Sequence, residues 1–135
     1  MFKQATKKEF IEARNQLTGS KAAFITPYTE SDYNEMGATC YLSKDGKSGY
    51  VLTEEKDLIS VFSLNHKGAA TIQDAIKNGA KTLDCLGEGL AAIYTKFGFV
   101  EVDRFPWDDE YAPENWDYDQ FKRPDVIFMR LKSPP

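Results

Sequence analysis

Residues 65–99 constrain this chain more than any other stretch, because they hold two helical patterns with a strand-like run between them. Small residues at 68–70 precede apolar positions at helical spacing, and Asn78-Gly79 ends that pattern. The run 81–86 predicts a strand, and the second helical pattern ends at Gly98. A helix between two strands predicts that strand 81–86 lies parallel to the strand before it.

Antiparallel strands are expected around this unit. Apolar runs predict five further strands, at residues 38–43, 48–53, 58–64, 100–105 and 126–131. Asp45-Gly46 separates the first two of these runs, and Asp-Gly in such a place is typical of a tight hairpin. The first three runs therefore predict three sequential antiparallel strands, and the last two predict a closing hairpin.

The first 37 residues give a less regular pattern. Thr6-Lys7-Lys8-Glu9 has the sequence of a capping box and predicts a helix over residues 6–18, ended by Gly19. Residues 22–25 fit either a short strand or an apolar tether. Thr29 begins a candidate short helix, because a hydroxyl there can cap the following turn.

Length and composition limit the classes of protein to consider. A chain of 135 residues with 41% hydrophobic residues suits one domain, expected over residues 1–135. It shows no apolar run of about 20 residues, no signal peptide and no basic stripe, so we expect a cytoplasmic protein that binds neither membranes nor nucleic acid. No metal site is predicted. Cys40 and Cys85 fit free buried thiols, with a disulfide as the open alternative.

Two motifs resemble the cofactor-binding half of the GNAT superfamily of N-acetyltransferases. Asn65, Gly68 and Ala70 match the spacing of its turn (Gln or Arg, two residues, Gly, one residue, Gly or Ala), with Asn in place of Gln or Arg. Residues 93–99 fit its helix ending (apolar, Tyr, three residues, Gly, Phe). The resemblance implies an α+β fold: a mixed, mostly antiparallel twisted sheet with helices on both faces. A V-shaped opening would separate strands 58–64 and 81–86.

The resemblance also implies a site for acetyl-coenzyme A (acetyl-CoA). The residues implied to hold this cofactor are Asn65, Lys67, Gly68, Ala69, Ala70 and Gly87. Tyr94 would protonate the leaving sulfur, although an aromatic at that position also suits simple packing. Four carboxylates are candidates for the general base, and the sequence does not choose among them: Glu54, taken first, with Glu55, Asp84 and Glu88.

An acidic, aromatic insertion interrupts the closing hairpin. Residues 103–121 hold seven carboxylates, one arginine and both tryptophans of the chain. So many aromatics favour an ordered segment folded over the domain. Carboxylates beside aromatic faces suit a cation, so we expect a basic amine acceptor. Examples are a lysine side chain, a polyamine or an aminoglycoside-like amine. The residues expected to contact it are Trp107, Asp108, Tyr111 and Trp116. A structural lid with a solvated acidic rim is the alternative.

The function expected from this resemblance is acetyl transfer from acetyl-CoA to a primary amine by direct attack in a ternary complex. A GNAT-like module without activity, serving binding or assembly, is the alternative, because the positions of Asn65 and Gly87 depart from the family pattern. Residues 117–126 resemble the closing segment of GNAT-like proteins of phage and prophage. A nucleic-acid mimic based on the charge of 103–121 is a third idea. The oligomeric state is open, a homodimer included.

Overall fold

The computed structural model describes residues 2–18, 20–64, 67–113 and 116–132. The strands are β1 (Phe2–Ala5), β2 (Thr39–Ser43), β3 (Ser48–Leu52), β4 (Asp57–Ser63), β5 (Thr82–Leu86), β6 (Phe99–Phe105) and β7 (Val126–Leu131). The helices are α1 (Lys7–Arg14), α2 (Glu30–Glu35), α3 (Gly68–Lys77), α4 (Glu88–Lys96) and α5 (Tyr118–Phe121). Short 3-10 turns lie at Ser20–Phe24 and Asp109–Tyr111.

The strands form one sheet in the order β1-β2-β3-β4-β5-β7-β6. The pair β4–β5 is parallel, and the five other strand pairs are antiparallel. Helix α3 makes the connection between the two parallel strands, because parallel neighbours need a long crossover. The predicted α+β class, the three sequential antiparallel strands and the closing hairpin are therefore confirmed.

Local capping explains where the first two helices begin. The Thr6 hydroxyl accepts the Glu9 amide while the Glu9 carboxylate accepts the Thr6 amide, and Thr29 and Asp32 repeat this capping box at α2. The prediction for residues 6–18 was too long, since α1 ends at Arg14 and Gly19 lies outside the described residues. Strand β1 was not predicted, because its four residues gain their pairing only from β2.

Two apolar clusters cover opposite faces of the sheet, as expected. Helices α3 and α4 pack on one face around Leu58, Ile72 and Ala91. Helices α1 and α2 pack on the other around Phe10 and Tyr33. Cys85 belongs to the first cluster and Cys40 to the second, and both are free buried thiols, as predicted. Burial raises the pKa of each thiol to about 11, so both stay protonated at neutral pH.

Two apolar residues of α3 and α4 are exposed. Ala69 lies on the open side of the first turn of α3, where Thr71 and Ile72 point into the core. Ile93 is 44% exposed, and Ala91 is the buried residue of α4. Helical spacing alone predicts a stripe, but the neighbouring elements decide which side of the helix is covered. None of the helices in the described ranges has the length and hydrophobicity needed to cross a membrane.

The close packing of β3 gives a stability prediction. A Cβ at Gly49 would lie 2.6 Å from the Tyr41 carbonyl oxygen and 2.9 Å from Cε1 of Phe10. Gly49→Ala should therefore lower the free energy of unfolding by about 1–3 kcal/mol through overpacking, as measured by urea denaturation. Gly89→Ala is the matched control, because a Cβ there meets no atom within 4 Å. That control should be neutral or stabilising, and equal losses in both variants would contradict the packing argument.

Candidate functional site

The separation of β4 from β5 creates the cleft of this protein. The two strands pair only at Asp57↔Thr82 and Leu58↔Leu83, and they part beyond these residues. A cavity of about 1150 Å³ lies at this opening and is lined by both strands. The predicted V-shaped opening is therefore present, at the end of β4 that leads into α3.

A β-bulge shapes the β4 wall of the cleft. Val51 of β3 pairs with Ile59 and Gly49 pairs with Phe62, so two residues of β4 oppose one residue of β3. Ser60, within the bulge, has a φ of 56°, which is an unusual backbone conformation for a residue with a side chain. Such strained residues concentrate at functional sites and need support from their surroundings.

A buried polar network supports that bulge. The Ser60 and Tyr33 hydroxyls are 2.8 Å apart, and Nη1 of Arg14 donates to the Tyr33 hydroxyl at 3.0 Å. Nη1 of Arg14 also donates to the Tyr28 carbonyl oxygen at 2.8 Å. Arg14 is only 6% exposed, so these neutral acceptors replace water around its charge. The network thus joins α1, α2, the bulge and the chain at Tyr28.

The N-terminus of α3 opens into the same cleft. Lys67 donates its amide to Oγ of Ser63, and the Thr71 amide begins the helical ladder on the Lys67 carbonyl. The first turn of a helix has amides without helical partners, and here these are Gly68, Ala69 and Ala70. Gly68 and Ala69 line the cleft, and a Cβ at Gly68 would meet no atom within 4 Å. Such a turn suits a phosphate group.

Tyr94 enters the cleft from α4. Its ring meets Phe99 edge-on at 5.9 Å between centroids, which fixes the direction of the side chain. Burial raises the pKa of Tyr94 above its ordinary value, with smaller contributions from Cys85 and the Asp84 carboxylate. The phenol is therefore protonated at neutral pH and can donate a hydrogen bond or a proton into the cleft.

Asp84 brings a carboxylate to the cleft from β5. Desolvation raises the pKa of Asp84, although its own backbone amide opposes part of this effect. The charge of Asp84 adds to the desolvation that raises the pKa of Tyr28. Within the described ranges, the charged residues that line the cleft are Asp84 and Asp108, both acids. The cleft therefore favours a cation near these two side chains.

The insertion folds into a lid over the cleft, with Trp116 as its centre. Trp116 is 7% exposed, donates its indole N–H to the Lys122 carbonyl at 2.9 Å, and packs on Phe24 with centroids 4.9 Å apart. Trp107 packs beside Trp116 at 4.9 Å. Thus the aromatic residues of the insertion join it to the segment before α2, which the sequence left ambiguous.

The predicted site residues separate into those that line the cleft and those that do not. Residues that line it are Gly68, Ala69, Tyr94, Trp107, Asp108 and Tyr111. Trp116 is not among the lining residues, because its ring packs in the core of the lid, and its contact with a substrate stays a prediction. Asn65 lies outside the described residues. Lys67 and Ala70 flank the lining residues at the start of α3.

Glu54 and Gly87 occupy turns outside the cleft. Glu54 lies between β3 and β4, donates its amide to the Met36 carbonyl and packs beside Gly37. This is the paired end of β4, so the position favours Asp84 over Glu54 among the four candidate bases. Gly87 has a φ of 90°, and its amide donates to the Asp125 carbonyl at 2.9 Å. The turn into α4 therefore explains this glycine.

Sequence reasoning missed Phe24 and Tyr28 as residues of the site. Both line the cleft, although neither belongs to a motif and each lies more than 50 residues before Asp84. The density of aromatics at 24–33 is the one signal that pointed to them. Long-range packing places this segment, so local periodicity could not assign it.

Solved structures share this fold. An acyl-CoA N-acyltransferase from Pseudomonas aeruginosa is 16% identical over 98% of this chain and 99% of that chain, with a TM-score of 0.64. A GNAT family acetyltransferase from Elizabethkingia anophelis with acetyl-CoA bound is 18% identical over 98% and 97%, with a TM-score of 0.63. A Bacillus subtilis acetyltransferase in complex with CoA is 20% identical over 98% of each chain, with a TM-score of 0.59.

The fold of this protein is therefore the GNAT fold, as the two motifs predicted. Neither a protein-family model nor a curated protein matches the sequence. At identities of 20% or less, these structures establish the arrangement of the chain and leave its activity to be argued from the site.

The raised pKa of Asp84 predicts an effect on stability. A carboxyl whose pKa is higher in the folded state stabilises the fold when protonated and loses that contribution as pH rises through the folded pKa. Asp84→Asn should therefore raise the melting temperature at pH 7, and the gain should fade as pH falls below about 4. Melting curves from pH 3 to 8 measure this. A variant less stable than wild type at pH 7 would contradict the desolvation argument.

Proposed function

We propose that this protein transfers an acetyl group from acetyl-CoA to a primary amine by direct attack in a ternary complex. One observation carries the proposal: the cleft at the parted strands has the N-terminus of α3 in its wall and Tyr94 and Asp84 in its lining. Structures of the same fold that contain acetyl-CoA or CoA support this choice of donor.

The start of α3 fits the pyrophosphate of acetyl-CoA. Gly68, Ala69 and Ala70 form the first turn of α3, and none of these three residues carries a side chain larger than a methyl group. The positive end of the helix dipole adds to these donors, and the exposed Lys67 side chain can add a charge. Asn65 precedes this turn, and its contact with the cofactor stays a prediction, as does that of Gly87.

Tyr94 supplies the proton that the leaving group needs. In the reaction, the amine nitrogen forms a bond to the acetyl carbon while the carbon–sulfur bond breaks, and the sulfur leaves with the electron pair. A protonated phenol in the cleft can donate to that sulfur. Because burial raises its pKa, Tyr94 keeps its proton at neutral pH and can direct it as a hydrogen bond at the charge that develops on the sulfur.

Asp84 accounts for the amine side of the reaction. An alkylamine with a pKa of about 10.4 arrives as an ammonium ion and must lose a proton before it attacks. Asp84 can pair with that ion and accept the proton, directly or through water. Its raised pKa makes it a stronger base than an ordinary carboxylate. Glu54 has no comparable access to the cleft.

The second candidate function is a binding or assembly module without transferase activity. Residues 117–126 resemble a segment of phage proteins with this fold. The glycine at position 87 has no side chain for a ligand, and β4 carries no carboxylate beyond Asp57. Calorimetric titration with acetyl-CoA and CoA separates the two functions. Micromolar binding of both supports the transferase, whereas no binding at millimolar concentrations supports the module.

Substitution at Ala69 tests the phosphate site directly. Ala69→Asp places a carboxylate in the first turn of α3, where it favours the helix dipole and repels a phosphate. We expect CoA affinity to fall at least about tenfold, equivalent to about 1.4 kcal/mol, while the melting temperature stays equal or rises. Ala69→Asn, which has nearly the same shape without the charge, is the matched control for the calorimetric titration. Equal affinities in both variants would place the phosphates elsewhere.

Tyr94→Phe tests the role of the phenol. The variant keeps the edge-on contact with Phe99 and removes only the hydroxyl. If Tyr94 is the acid, kcat should fall by about 10²–10⁴, while the dissociation constant of CoA stays nearly unchanged. Steady-state kinetics with a calorimetric control measure both quantities. Unchanged kcat would remove Tyr94 from the mechanism.

A further inference from the structure

We propose that the acceptor is a primary monoamine attached to an aromatic or similarly flat apolar group, with its ammonium at Asp84. This inference rests on the proposed function, since it names the substrate class for the same cleft. It narrows the basic acceptors expected from the sequence, because a polyamine or an aminoglycoside would need several acidic partners.

Two carboxylates of the insertion, Asp109 and Asp117, are engaged in contacts within the lid. Asp109 pairs with Arg123 at 3.1 Å and also accepts the Trp107 indole N–H and the Tyr118 hydroxyl. Asp117 accepts the Gln120 amide as a helix cap. These carboxylates hold the lid together, so they are poor partners for a second or third ammonium.

Only two acids line the cleft in the described part of the chain, and they differ in availability. Asp108 caps the short turn after it by accepting the Glu110 amide at 3.0 Å. Asp84 is exposed on β5, lines the cleft and has its own backbone amide as a hydrogen-bond partner, so an incoming ammonium can reach its carboxylate and pair with it. Of the two acids that line the cleft, Asp84 is therefore the better placed to pair with an ammonium ion.

Aromatic side chains form the walls on the acceptor side. Those that line the cleft around the lid and the end of the sheet are Phe24, Tyr28, Phe105, Trp107, Phe121 and Phe128. Rings of this kind bury flat apolar groups well and interact favourably with a nearby ammonium through their faces. Hydroxylated sugars would leave their polar groups without partners along such walls.

Fixed contacts hold these walls in place before any ligand arrives. The Phe105 ring meets Phe128 edge-on at 5.5 Å, and the Phe24 ring meets Phe121 edge-on at 4.7 Å. The Tyr28 carbonyl is held by Arg14. A preformed aromatic pocket loses little conformational entropy on binding, which favours a compact aromatic ligand over a long flexible one.

The fluorescence of the lid can report ligand binding in the test. Both tryptophans of the chain belong to the lid, and Trp107 lines the cleft. Tryptophan fluorescence can follow titration of the whole protein without acetyl-CoA. The probes are 2-phenylethylamine, 2-phenylethanol with the same ring but no charge, and 1,3-diaminopropane with charge but no ring. We expect 2-phenylethylamine to bind at least tenfold more tightly than either of the others.

Two variants then test which carboxylate pairs with the ammonium of 2-phenylethylamine. Asp84→Asn should abolish the preference for 2-phenylethylamine over 2-phenylethanol. Asp119→Asn, an exposed lid carboxylate outside the cleft lining, should leave that preference unchanged. Tighter binding of 1,3-diaminopropane, or a preference that survives Asp84→Asn, would overturn the proposal.

The outcomes also separate this inference from the proposed function. If CoA binds in calorimetry and 2-phenylethylamine does not quench the fluorescence, the acceptor assignment is wrong and the transferase stands. If the amine binds with the Asp84 dependence and CoA does not, the amine site is supported and the transferase fails. Acetylation of 2-phenylethylamine, with the same preference over 1,3-diaminopropane in kcat/KM, would support both.

Discussion

The early end of the β4–β5 pairing is the constraint on which the rest of this site depends. The parallel pairing stops after two residue pairs. Beyond that point the backbone N–H and C=O groups of β4 and β5 do not pair with the opposite strand, although both strands lie inside the sheet. The bulge at Ser60 turns β4 away, and the buried Arg14–Tyr33 pair holds the bulge from the opposite face. The cleft is therefore maintained by a polar network that spans two helices, and it is open before any ligand binds.

Different elements contribute different parts of the chemistry at this opening. Helix α3 brings the amides of its first turn, α4 brings a buried phenol that keeps its proton, and β5 brings a carboxylate whose pKa is raised by desolvation. The lid adds aromatic walls and uses its own acids for internal caps and one ion pair. The amides, the phenol and the carboxylate each suit one part of acyl transfer to an amine. The fold brings these three groups to the same cleft.

The short motifs anticipated the fold well, because they encode local geometry. The glycine-containing turns, the capping boxes and the Asp-Gly hairpin each depend on neighbours within a few residues, and the structure contains all of them except those at undescribed positions. The site was anticipated less well. Glu54 was taken first among the four candidate carboxylates, whereas Asp84 is the one that lines the cleft, and Phe24 and Tyr28 were not considered.

The sequence by itself determined the order of strands β2 to β7, the parallel crossover at α3 and the presence of Tyr94 on the helix that Gly98 follows. Tertiary structure alone decided which side chains meet in the cleft. Access of Asp84 rather than Glu54, and burial of Trp116 rather than Trp107, follow from packing between segments far apart in the chain. Local spacing carries no information about such contacts, since they are set by how the sheet parts and how the lid covers it.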